Sequence, residues 1–126
     1  VTDEGLLAAA RSARERAYAP YSKFHVGAAL LCADGTLVCG SNVENASFGL
    51  SMCAERSAVF AAVYAGRMQF DALAVAGPER TATPPCGACR QVLAEFGSQL
   101  RILYVTPEGH AKTTLGELLP AGFVLP

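Results

Sequence analysis

Apolar positions in the first stretch of the chain recur at helical spacing: Leu7, Ala10, Ala13 or Arg14, and Ala17 share one side of a 3.6-residue period, in text rich in Ala, Leu, Arg and Glu. A helix is predicted over Thr2 to Tyr18, with Pro20 just beyond its end. The pattern then changes. Val26 to Cys32 is a short apolar run, Asp34-Gly35 is a tight-turn pair, and Thr36 to Val43 returns as the partner strand of a hairpin. Glu44 to Gly49 reads as loop. Ala-rich text from Cys53 to Ala65, closed by Gly66, predicts a second helix, and Ala72 to Ala76 a short buried strand ending at Gly77-Pro78. Pro84-Pro85 introduces a third helix, running from about Cys86 to Phe96 and stopped by Gly97. Leu100 to Thr106 is the next strand, and a short helix around Thr114 to Leu119 ends at Pro120.

The order is helix, hairpin, helix, strand, helix, strand and a short tail. Helices between successive strands imply crossovers with parallel pairing, while the hairpin contributes an antiparallel pair. The architecture that satisfies both is an α/β fold of three layers, α/β/α, around a mixed β-sheet. At 126 residues the chain has the length of one domain, so residues 1–126 are read as a single unit, without repeats or a low-complexity linker.

Composition narrows the function classes. Hydrophobic residues make up 52% of the chain and charged residues 17%, which is ample for a core and hints at a buried subunit interface. No apolar run approaches the roughly 18 residues needed to cross a bilayer. Val1 to Gly5 lacks the basic-then-apolar pattern of a secretory signal, so a soluble, cytoplasmic protein without a membrane partner is expected. Ten Lys and Arg against eleven Asp and Glu give a formal net charge of −1, with no cluster longer than Arg14-Glu15-Arg16. That balance argues against a nucleic-acid groove and for a small-molecule substrate. Five cysteines, an odd count with no signal segment, read as metal-binding or catalytic thiols more than as a disulfide framework.

Cys86-Gly87-Ala88-Cys89 places two thiols at positions i and i+3 at the start of a helix, where both can face one metal and the helix dipole favours thiolate. Alone, this motif also suits a redox dithiol or half of a structural zinc site. Cys53-Ala54-Glu55 adds a third thiol at the start of another helix, with a carboxylate two positions on. In a regular helix those two side chains diverge by about 200°, so they converge only at its first turn, where the sequence puts them. Three protein ligands with one open position is the pattern of catalytic zinc. Cys32, Cys39, His25 and His110 lack ligand-like spacing and read as strand thiols and as strand-end or loop histidines. Three thiolates outweigh the charge of Zn2+, so the site needs a neighbouring cation or donors. Arg56 is assigned that task, with Gln91 and Arg90 as weaker candidates.

With Cys53-Ala54-Glu55 and Pro85-Cys86-Gly87-Ala88-Cys89 in place, the chain resembles the small homotetrameric zinc-dependent cytidine deaminases, whose signature is a ligand-x-Glu followed by Pro-Cys-x-x-Cys. The likeness extends to Pro20-Tyr21-Ser22-Lys23-Phe24, Val26-Gly27-Ala28-Ala29, Asn42-Val43-Glu44-Asn45-Ala46-Ser47, and Leu118-Leu119-Pro120 before Phe123. It covers nearly the whole chain. The resemblance implies a cytidine deaminase-like fold, a Zn2+ cofactor, and a homotetramer with active sites at subunit interfaces. It also implies hydrolytic deamination of cytidine and deoxycytidine to uridine and deoxyuridine with release of ammonia, in pyrimidine salvage. By the same resemblance Cys53, Cys86 and Cys89 hold the metal and Glu55 moves the protons, while Asn42 and Glu44 hydrogen-bond the ribose hydroxyls. Phe24 packs on the pyrimidine, and Phe123 is delivered to a neighbouring subunit's pocket. Backbone N–H groups near Ala54 orient the attacking hydroxide. Phe48 departs from the family pattern, in which many relatives carry Tyr.

Overall fold

A computed structural model describes residues 1–126. In chain order the elements are α1 (Asp3–Arg14), β1 (Gly27–Cys32), β2 (Leu37–Ser41), a 3-10 turn at Phe48–Leu50, α2 (Ala54–Tyr64), β3 (Phe70–Ala76), α3 (Gly87–Ala94), β4 (Arg101–Thr106), β5 (Gly109–Thr114) and α4 (Leu115–Leu118). The strands form one sheet in the order β2-β1-β3-β4-β5. Three of its pairings are antiparallel, and β3 with β4 is parallel, Leu73 opposite Ile102. The expected mixed sheet is present.

Period-two alternation separates the two faces. Ala28, Leu30, Cys32, Leu73, Val75 and Ile102 pack against Ala54, Ala58, Val59 and Ala62 of α2 and Leu93 of α3. Their neighbours Ala29, Ala72, Ala74, Ala76, Leu103 and Val105 face Leu6, Leu7 and Ala10 of α1. Each fully buried Leu or Ile contributes about 1.5–3 kcal/mol relative to exposure. Small residues let the layers approach: a Cβ on Gly27 would lie 2.1 Å from Ala10 O of α1, and one on Gly40 would lie 2.6 Å from Ala54 O and Ala58 N of α2.

Three sequence expectations are corrected. The first helix ends at Arg14 and not at Tyr18. Tyr18 N donates to Asn42 O at 2.9 Å and Glu44 N donates to Tyr18 O at 2.8 Å, so pairing with the chain beyond β2 replaces further helical turns. The third helix is shorter than expected, Gly87–Ala94, with Cys86 as its N-cap. The tail contains a strand: β5, Gly-His-Ala-Lys-Thr-Thr, pairs antiparallel with β4, and His110 sits within it. An edge strand of polar and small residues carries no apolar run by which the sequence would reveal it.

The strand directions prepare the site. β1 is antiparallel to both β2 and β3, so β2 and β3 run the same way although they are not adjacent. The helices that follow them, α2 and α3, therefore begin at the same end of the strands.

Candidate active site

Cys53 is the N-cap of α2 and Cys86 the N-cap of α3, each with extended backbone (φ −74°, ψ 155° and φ −69°, ψ 169°). Because Cys53 stands outside the helical period, the divergence that a regular helix would impose between it and Glu55 does not arise, and both line one cleft, as expected of a pair at the helix start. Cys89 is one turn into α3 and fully buried. The Cys53 and Cys86 sulfurs are 3.7 Å apart, those of Cys86 and Cys89 3.5 Å, and all three lie within 4.8 Å of one another. Sulfurs tetrahedrally arranged about zinc at about 2.3 Å stand about 3.8 Å apart, so this donor set fits that metal. No fourth Cys or His joins them. Cys32 is buried in the core facing α2, Cys39 is exposed on the edge strand β2, His110 lies on β5, and His25 Nδ1 is 3.1 Å from Lys23 O.

The charges of the cluster are coupled. Hydrogen bonding from Cys89 foremost, then the Arg56 guanidinium, pulls the Cys53 thiol down to about 5, while Cys89 is pushed up by its bond to Cys53 and by burial. Arg56 Nη2 donates to Cys53 Sγ at 3.3 Å, so the predicted cation is in contact with a sulfur. Gln91 and Arg90 are not. Gln91 Nε2 donates to Phe123 O at 3.2 Å, while Arg90 Nε donates to Pro85 O at 2.8 Å and its Nη1 to Leu118 O at 2.9 Å. Both side chains hold the C-terminal segment against α3, which their sequence neighbourhood does not disclose. Glu55 is 4% exposed, and burial, with the Cys53 charge beside it, pushes its carboxyl up to about 7.

The cleft above the sulfurs has a volume of about 410 Å3, and Phe24, Asn42, Glu44, Phe48, Ala54 and Glu55 are among the residues that line it. No Lys or Arg lines it. Residues without a sequence-level role complete the wall: Met52 from the loop before α2, and Ala82, Thr83 and Pro84 from the loop before α3. Only the Pro pair ahead of Cys86 hints at that second loop. Asn42 Oδ1 accepts from Val26 N and its Nδ2 donates to Phe24 O, both at 2.8 Å, leaving one N–H and one lone pair for a ligand. Phe123 does not enter this cleft. It is 68% exposed, followed by exposed Val124 and Leu125.

The family described as the cytidine and deoxycytidylate deaminase zinc-binding region matches residues 1–106. A cytidine deaminase of Sporosarcina psychrophila is 49% identical over 122 residues, 95% of this chain and 90% of that protein. One from Halalkalibacterium halodurans is 48% identical over 120 residues, 94% and 91% of the two chains. Among solved structures, the cytidine deaminase of Burkholderia pseudomallei superposes with a TM-score of 0.92 at 48% identity, covering 98% of this chain and all of its own. That of Mycobacterium tuberculosis gives a TM-score of 0.86 at 44% identity, covering 99% of this chain and 100% of its own.

Proposed function

The chain belongs to the cytidine and deoxycytidylate deaminase family, and on that premise we propose that it hydrolyses the C4 amino group of free cytidine and deoxycytidine. The products are uridine or deoxyuridine and ammonia, a pyrimidine-salvage reaction that depends on zinc. The observation that carries this reading is the group of three sulfurs, 3.5 and 3.7 Å apart along the series, at the base of a cleft that also holds a buried carboxylate. Cys53, Cys86 and Cys89 would hold the zinc. When bound, zinc supplies Lewis acidity that lowers the pKa of water at its open position toward about 7.

Glu55 does the proton work. Its carboxylate takes a proton from the attacking water and delivers it to ring N3, which makes C4 electrophilic. The water oxygen bonds to C4, Glu55 passes that oxygen's remaining proton to the amino group, and the C4–N bond breaks as the C4 carbonyl forms, releasing ammonia. A carboxyl held near neutrality suits an alternating acceptor and donor. Arg56 draws charge from Cys53, so the anionic sulfurs suppress the acidity of the attacking water less. The Ala54 backbone N–H, at the N-terminus of α2, orients that water.

Phe24 packs on the pyrimidine, and Asn42 and Glu44 bind the ribose hydroxyls. The absence of Lys and Arg from the cleft supports an uncharged nucleoside and not a nucleic acid. The outward Phe123, its carbonyl held by Gln91, supports a homotetramer in which each subunit completes a neighbour's pocket. One sheet covered on both faces supports a single domain over residues 1–126. Five unpaired cysteines are in keeping with a reducing, cytoplasmic location, and no helix is long and apolar enough to cross a membrane.

The test mixes zinc-loaded protein with cytidine and follows ultraviolet absorbance and ammonia release beside a Glu55→Gln control. Stoichiometric uridine and ammonia from the wild type alone is the expected result. Equal turnover by the control removes Glu55 from its role, and no turnover by either removes the substrate assignment.

A further inference from the structure

Glu44 is 7% exposed and lines the cleft, yet no Lys or Arg pairs with it. Its charge is held by donors from one short segment. Tyr21 N and Ser22 N donate to Oε1 at 3.0 and 3.1 Å, and Ser22 Oγ donates to Oε2. The same Ser22 oxygen accepts from Phe24 N at 3.0 Å. A hydroxyl has one proton and two lone pairs, and an ionised carboxylate only accepts, so the direction of both bonds is determined. Ser22 Oγ is thus a one-atom bridge between the carboxylate of Glu44 and the backbone of Phe24.

The backbone is bent to make this bridge. Lys23, between Ser22 and Phe24, sits at φ +61°, a left-handed conformation unusual for a residue with a side chain, and its N–H donates to Ala19 O at 3.0 Å. On the far side of Phe24 its carbonyl accepts from Asn42 Nδ2. Phe24 is therefore held at its N–H by Ser22 and at its C=O by Asn42.

We propose that Ser22 is a positioning residue for nucleoside binding, its hydroxyl fixing the Glu44 carboxylate and Phe24 as one preorganised unit. The inference rests on the reading that Glu44 and Phe24 contact the nucleoside. Oε1, with two backbone donors, is satisfied, and Oε2, with one donor, keeps an acceptor position for a sugar hydroxyl. The Ser22 hydrogen bond is also the foremost cause holding the Glu44 carboxyl below its usual range, so the acceptor stays ionised. Without the hydroxyl, Oε2 loses its donor, leaving the carboxylate held at Oε1 alone, and the Phe24 N–H loses its partner. The sugar and base contacts both loosen, while Glu55 and the cysteines are untouched.

The test is steady-state kinetics on the zinc-loaded enzyme with cytidine, for Ser22→Ala, Ser22→Thr, Ser22→Cys, Glu44→Ala and the Ser22→Ala/Glu44→Ala double variant, with zinc content measured in each. Ser22→Ala is expected to raise KM about tenfold, the effect of one charge-assisted hydrogen bond, with kcat within about twofold and zinc unchanged. Thr, which keeps the hydroxyl, stays near wild type, and Cys, a weak donor, falls between Thr and Ala. In the Glu44→Ala background the Ser22→Ala change raises KM by clearly less than its roughly tenfold effect in the wild type, because only the bond to the Phe24 N–H remains to be lost. Independent, multiplying effects overturn the proposal, as does a Ser22→Ala variant that loses kcat or zinc with KM unchanged. Should Ser22→Ala not fold, the order of KM for Thr and Cys decides: Cys at or below Thr overturns it. Glu44→Ala with wild-type KM instead removes the parent reading, whereas Glu44→Ala with raised KM and an unaffected Ser22→Ala removes Ser22 alone.

Discussion

Gly40→Ala probes how the sheet sets the metal helix. Gly40 lies on β2 against the first turns of α2, where an added Cβ would be 2.6 Å from Ala54 O and from Ala58 N. Ordinary contact is about 3.5 Å, and both neighbours are backbone atoms of one helix, so α2 must retreat by about 1 Å. Gly40 does not have a left-handed φ, so the cost is steric alone. Overpacking of this kind destabilises by about 1–3 kcal/mol. The retreat also carries Cys53 and Glu55 away from Cys86 and Cys89, and a misplacement of about 1 Å lowers turnover by about 100-fold. Urea unfolding, zinc content and kcat measure the three effects on one preparation. Gly35→Ala is the control. Gly35, in the hairpin turn, has φ +90° with open space around it, so alanine there costs about 1–2 kcal/mol of backbone strain and leaves kcat and zinc unchanged. A Gly40→Ala enzyme with wild-type stability and zinc content refutes the close-packing argument. Loss of zinc in Gly35→Ala refutes its specificity.

Glu55→Gln is expected to keep zinc and lose about 100- to 10,000-fold in kcat, read by the cytidine assay. In zinc-free protein the raised Glu55 pKa means that the folded state binds this proton more tightly than the unfolded state, so the stability this group contributes is fully present below about pH 4.5. That contribution falls by about 3 kcal/mol as pH rises to about 7, against the opposite trend of the depressed Cys53 thiol, and a Gln variant whose urea midpoint follows the same pH dependence as the wild type would show the account of Glu55 to be wrong. Arg56→Ala removes the guanidinium from Cys53 Sγ, so the acidic limb of the pH–rate profile moves to higher pH; an unmoved limb removes Arg56 from its role. Thr2→Ala deletes the side-chain acceptor for Gly5 N at the start of α1 and should cost about 1 kcal/mol in thermal or urea unfolding with kcat unchanged.

What the sequence determines here is local. The 3.6-residue spacing of Leu7 and Ala10, the Asp34-Gly35 turn and the apolar β1 and β3 runs disclose helix, hairpin and buried strand, because each pattern is complete within a few residues. The same holds for Cys86-x-x-Cys89, whose two sulfurs share one helix start, and for Cys53-x-Glu55, which works only at a first turn. The tertiary structure decides the rest. That Cys53 comes to 3.7 Å from Cys86 across 33 positions follows from β2 and β3 running the same way with β1 between them, a property of strand order. The early end of α1 depends on Tyr18 finding partners at Asn42 and Glu44, and β5 depends on the free edge of β4. Arg90 and Gln91 turn to the C-terminal segment because its carbonyls are close, and Ser22 meets Glu44 from within the turn that the Lys23 N–H closes on Ala19 O. Hydrogen-bond partners distant in sequence are chosen by packing, and no local period encodes them.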